Sequence, residues 1–209
     1  MQIKNCMNKA TDDITPKIIG ITGGIGCGKT VATDALKAAG YCVIDADEIS
    51  RELFARGADG ERMLCDAFPQ ARSDGALDRA RLRALIAADP TARKKLNDIT
   101  HPAIINEIQS RIRTVAASTV ILSAPLLFES GLDELCDKII CVACPLELQI
   151  ERVMRRDGID ERAARTIIAT QMQDKERRDK SDVIISSDLP LDEYTKRVLQ
   201  SVKQTEKSI

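Results

Sequence analysis

Short apolar runs alternate with longer amphipathic stretches along the chain. Residues 17–22, 41–44, 119–123, 138–143 and 183–185 are the runs, each too short for a buried helix and rich in Ile and Val. They predict five strands buried on both faces. Residues 29–39 have helical spacing, with Val31, Ala32, Ala35, Leu36 and Ala39 on one face and Gly40 at the position after the helix end. Residues 48–117 show no convincing strand. A helix is predicted over 48–56, a break at 57–60, a short helix to Phe68-Pro69, and a turn at Ser73-Asp74-Gly75. Asp78 caps a helix bearing Leu82, Leu85 and Ile86. Asp89-Pro90 opens another, and His101-Pro102 a longer one with Ile104, Ile105, Ile108, Ile112 and Val115. Pro145 starts a helix through Gln149, Arg152, Arg155 and Arg156. Asp160 caps a further helix ending in a charged run at 174–180, and Pro190 starts the closing helix. Alternating strands and helices predict a doubly wound, five-stranded parallel sheet.

The turn after the first run carries the chemistry. Gly23-Gly24-Ile25-Gly26-Cys27-Gly28-Lys29-Thr30 fits G-x-x-x-x-G-K-[ST] between a strand and a helix. Glycines let successive amides point at phosphate oxygens, and the helix N-terminus adds partial positive charge. Lys29 is placed to reach the β- and γ-phosphates and the Thr30 hydroxyl to ligate Mg²⁺. The expected nucleotide-binding set is Gly24, Gly26, Cys27, Gly28, Lys29, Thr30 and Val31. A P-loop alone does not separate a switch, a motor and a kinase. No Gly has Asp three positions before it and N-K-x-D is absent, which argues against a GTPase.

An acidic pair, Asp45 and Asp47, follows the second strand at the end of the sheet that faces the ligand crevice. If the strand continues through them, both point to the γ-phosphate, and one could take the proton of an attacking hydroxyl. Equally, Asp45 could cap the next helix and Asp47 be a solvated charge. Arg152 with Arg155 or Arg156, and Arg177 with Arg178, are candidates for neutralising transferred charge; for Arg155 and Arg178 a solvated helix face is the better reading. A helical insert after the second strand is placed to hold a second substrate.

Composition narrows the partners. The net charge is -1 and aromatics make up 2%, without Trp, which excludes a broad nucleic-acid footprint and base-stacking platforms. The seven cysteines have no framework spacing. With no apolar run of membrane length, a soluble, reduced, cytoplasmic protein is expected. Cys136, Cys141, Cys144 and His101 could in principle make a zinc site, but core cysteines are the better reading. At the P-loop, Cys27 beside Lys29 at a helix start is expected to have a lowered thiol pKa, with alkylation blocked by ATP.

Taken together, residues 21–29, Val43-Ile-Asp-Ala-Asp47, His101-Pro-Ala-Ile104, Pro125-Leu-Leu-Phe-Glu129 and Gln149-x-x-Arg152-x-x-Arg155 resemble the dephospho-coenzyme A kinases over nearly all of 17–188. The resemblance implies transfer of phosphate from Mg-ATP to the 3′-hydroxyl of dephospho-CoA. It implies a P-loop kinase core within one domain at 16–205, a CoA-binding insert at about 48–117 and a lid at about 145–181, after an extension at 1–15. It makes Asp47 the catalytic base, with Lys29 and Arg152 stabilising the transferred group. It puts Asp45, His101 and Glu129 on the substrate side. No membrane or nucleic-acid partner is implied, and a monomer or small homo-oligomer is expected. The chain departs from the family pattern at Cys27, usually Ser, and at Ser181 and Ser187, usually Ala and Asn, near the expected adenine site.

Overall fold

The computed structural model describes residues 15–209; residues 1–14 of the expected extension lie outside the described residues. Five strands form one parallel sheet: β1 (Lys17–Thr22), β2 (Cys42–Asp45), β5 (Thr119–Ser123), β6 (Lys138–Ala143) and β7 (Val183–Ser186). Their order is β2-β5-β1-β6-β7, so β1 lies in the middle. Ile21 pairs with Ser123 and Asp45 with Ser123, which puts the carboxyl ends of β1, β5 and β2 level.

Strand alternation divides the core. Ile19, Ile21, Ile121, Ile140, Val142 and Ile185 face α1 (Lys29–Ala38) and α9 (Leu191–Glu206), which contribute Leu36 and Val198. Ile44, Val120, Leu122 and Ile139 face the opposite way, towards Ile49 of α2 (Ala46–Leu53) and Ile108 and Ile112 of α5 (Pro90–Thr114). Side chains two apart on a strand share a face, so one apolar run serves both layers. Cys144 packs in the first of these cores and Cys136 against the second.

Between β2 and β5 lie α2, α3 (Asp59–Ala67), α4 (Arg79–Ala88) and α5. Two findings depart from the sequence reading. A small antiparallel hairpin, β3 (Arg72–Ser73) and β4 (Ala76–Leu77), flanks the expected turn at Asp74-Gly75. The two helices expected to open at Asp89-Pro90 and His101-Pro102 are a single 25-residue helix that runs through Pro102. An interior proline costs about 3 kcal/mol. Here the helix bridges two cores. Ala92, Leu96 and Ile99 pack with Phe54, Leu64 and Phe68 of the insert, and Ile108 and Ile112 pack on the sheet. Burial at about 1.5–3 kcal/mol per large apolar side chain offsets the proline.

After β6 come α6 (Leu146–Asp157), α7 (Glu161–Ala169) and α8 (Asp174–Asp179). The helix capped by Asp160 stops at Ala169 and does not reach the charged run, because the intervening residues turn towards the P-loop. There Gln171 Oε1 accepts from the Ile25 N–H at 2.8 Å. Ile25 also packs on the small core of Ile150, Val153 and Ala164, so α6 and α7 rest directly on the P-loop.

Candidate active site

The P-loop leaves β1 and enters α1 over a cleft of about 570 Å³, lined among others by Gly24, Gly26, Gly28, Lys29 and Thr30. Gly28 stands at the N-cap with φ 90°, a left-handed conformation that favours glycine. It has no side chain to cap the helix, so the first-turn amides, which lack intrahelical acceptors, stay available to an anion. Gly23 must also be glycine, since a Cβ there would lie 2.6 Å from the Val142 carbonyl oxygen. The loop is held from both sides: Gln149 Nε2 donates to the Ile25 carbonyl at 2.7 Å while Gln171 accepts from its amide.

Cys27 and Val31 of the expected nucleotide-binding set do not line this cleft. Val31 faces outward on α1. Cys27 is 1% exposed in the core, its sulfur 3.6 Å from that of Cys144. The thiol contact with Cys144, and burial after it, push Cys27 well above the usual thiol range. The structure reverses the expected lowering: the side chain is packed in the core against Cys144 and shielded from solvent.

The acidic pair is split in role. β2 ends at Asp45, so the two carboxylates do not share a strand face. Asp45 is the N-cap of α2, its Oδ1 accepting from the Asp47 and Glu48 amides at 2.9 and 3.2 Å. Its Oδ2 lies 2.8 Å from Ser123 Oγ and 3.5 Å from Lys29 Nζ. Burial works against ionisation of Asp45, but Lys29, the Ser123 hydroxyl and the two amides outweigh it and hold the carboxyl below the usual range.

Asp47 in the first turn of α2 reaches the rim of the cleft. Solvent reaches Asp47 at this rim, yet partial desolvation by the surrounding protein, then the charge of Asp45, raise its pKa against the pull of Lys29 and Arg51. Asp47 and Pro125 also line a second cavity of about 180 Å³ with His101, Ile104, Ile105 and Leu126. Asp47 thus stands where the P-loop cleft meets a mostly apolar pocket on the insert side, and His101 lies in that pocket. Glu129 lines neither cavity; its Oε1 accepts from the Met172 amide at 3.1 Å, bracing the segment between α7 and α8.

Arg152 lines the cleft from α6. It donates to Ser187 Oγ at 2.8 Å and to the Ser187 carbonyl at 2.9 Å, joining α6 to the loop after β7. Arg156 lines the same cleft, whereas Arg155 pairs with Glu151 on the surface and the half-buried Arg178 with Asp174. Arg177 does not line the cleft. It is 2% exposed and donates to the Met172 carbonyl at 2.8 Å, close beside Gly24. Sequence reasoning missed Ser123, Gln171 and Arg51. Of these only Ser123 carried a signal, as a polar residue closing a buried strand at the ligand end of the sheet.

Among the described residues no cluster of three or more His, Cys, Asp or Glu side chains could hold a metal unaided. Thr30 and the acidic rim instead suit a cation that reaches the site on phosphate oxygens and takes few protein ligands. Among the described residues no helix is long and apolar enough to cross a membrane.

A profile of the dephospho-CoA kinase family matches residues 17–193. The chain is 37% identical over 176 residues to a dephospho-CoA kinase of Pseudoalteromonas translucida, covering 83% of this chain and 84% of that one. Its fold is similar to the crystal structure of TT1252 from Thermus thermophilus, with a TM-score of 0.83 and 33% identity over 91% of this chain and 97% of that one. It is also similar to a dephospho-CoA kinase from Campylobacter jejuni, with a TM-score of 0.68 and 25% identity over 91% and 98% of the two chains.

Proposed function

We propose how this chain, which belongs to the dephospho-CoA kinase family, uses the site around Asp47 to transfer the γ-phosphoryl group of ATP to the 3′-hydroxyl of dephospho-CoA. The observation that carries the proposal is the position of Asp47 on both cavities, with the P-loop on one side and the insert pocket on the other.

The triphosphate lies along the P-loop amides, and Lys29 leaves Ser123 and Asp45 for the β- and γ-phosphates. The acceptor enters from the insert side with its ribose at Asp47. The Asp47 carboxylate takes the proton of the 3′-hydroxyl as that oxygen attacks phosphorus and the bond to the ADP oxygen breaks. Its raised pKa makes it a better proton acceptor than an ordinary aspartate. Lys29 and Arg152 offset the charge spread over the transferred group. The family chemistry calls for a divalent cation; we assign Mg²⁺, with Thr30 as its protein ligand, supplying Lewis-acid stabilisation of the phosphates when bound. Residues 48–117 act as the acceptor-binding insert and residues 145–181 as the lid. Neither nucleic acid nor membrane is a partner, and the enzyme acts in the cytoplasm as a monomer or small homo-oligomer.

An acceptor panel with Mg-ATP tests the function. Dephospho-CoA should drive ADP formation far above the rate with adenosine, shikimate or nucleoside monophosphates. Equal or faster turnover with one of those would replace the acceptor.

A further inference from the structure

Ser123 sits beside the pair formed by the P-loop lysine and the aspartate that caps α2, and bonds to both. Its side chain is fully buried at the carboxyl end of β5, level with Asp45 on the neighbouring strand. Lys29 Nζ is 2.6 Å from Ser123 Oγ, and Ser123 Oγ is 2.8 Å from Asp45 Oδ2, while Lys29 and Asp45 are 3.5 Å apart. The directions are fixed by chemistry. An ammonium only donates and a carboxylate only accepts, so the single hydroxyl proton goes to Asp45 and the oxygen lone pair to Lys29.

We propose that Ser123 is a positioning residue: by bonding both members of the Lys29–Asp45 pair, its hydroxyl holds that pair at a long 3.5 Å and keeps it from tightening. Both charged side chains are nearly shielded from water, 13% and 14% exposed, so a tightened contact would be strong. Lys29 would then have to break it to reach phosphate. With the hydroxyl bonded to both, Lys29 gives up a neutral acceptor at 2.6 Å and only a long contact to the carboxylate, and Asp45 keeps a donor on Oδ2 after the lysine has moved. Asp45 Oδ1 therefore stays on the Asp47 and Glu48 amides while the nucleotide is bound.

The inference rests on the reading of Lys29 as a phosphate ligand. Its test uses ATP binding alone, so it is independent of the acceptor. ATP affinity is measured by titration calorimetry on the full chain, on Ser123→Ala, on Asp45→Asn and on the double variant. Asn caps a helix as well as Asp, so Asp45→Asn keeps α2. Ser123→Ala should weaken ATP binding about fivefold in the wild-type background, the scale of one charge-assisted hydrogen bond redirected. In the Asp45→Asn background, where no ion pair can close, it should change affinity less than about twofold. Ser123→Cys, whose thiol is a weak donor, should behave as Ser123→Ala does and serves if that variant does not fold. An equal loss in both backgrounds, or no loss in either, overturns the proposal. A protein that binds ATP as expected but leaves dephospho-CoA untouched would overturn the acceptor and not this inference.

Discussion

Asp45 holds Asp47 by the backbone: Asp45 Oδ1 accepts the Asp47 N–H at 2.9 Å. The first carboxylate is a structural cap and a counter-charge to Lys29, and the second is left at the junction of two cavities. Two aspartates separated by one residue thus do different work, one fixing where the other sits.

Replacing Asp47 by Asn removes the proposed proton acceptor and leaves the P-loop intact. Steady-state kinetics should show kcat lower by ~10²–10⁴, the range for loss of a general base. ATP affinity by calorimetry should stay within about twofold, because the phosphate contacts are elsewhere. Turnover near the wild-type rate would remove Asp47 from the chemistry.

The pH profile reports the same group. A base works when ionised, and the pKa of the Asp47 carboxyl is raised by partial desolvation and by Asp45. The acid limb of kcat/KM should therefore lie above the range of an ordinary aspartate, with activity rising through it as pH increases. Asp45→Asn takes away the neighbouring negative charge and should move that limb to lower pH. A limb that stays in place, or moves up, would contradict the coupling.

Cys27 should be inert. Buried against Cys144 and pushed away from ionisation, it should escape iodoacetamide at neutral pH with or without ATP and react only after unfolding. Peptide mapping of the alkylated protein reads this directly. Rapid labelling that ATP slows would restore the reactive thiol suggested by its place beside Lys29.

The strands of the main sheet were legible because parallel strands buried on both faces leave continuous apolar runs, as at 119–123 and 138–143. The P-loop was legible because its glycines have a backbone reason. Pro102 misled because its penalty is local, while the packing that overrides it comes from two separate cores. The β3–β4 hairpin has two residues per strand, too few for a pattern. Cys27 misled because a helix-start position does not say which way a side chain points. Ser123, Gln171 and Glu129 act through contacts across 40 residues or more, for which a single sequence carries no period.

The position of the new phosphate on the product reports whether the transfer takes place as described. The protein is incubated with Mg-ATP and dephospho-CoA, ADP is quantified, and the acceptor product is identified by mass spectrometry and phosphorus NMR. One CoA should form per ADP, with the new monoester on the ribose 3′-oxygen. ADP without a phosphorylated acceptor, or phosphate on any other oxygen, would contradict the proposed transfer.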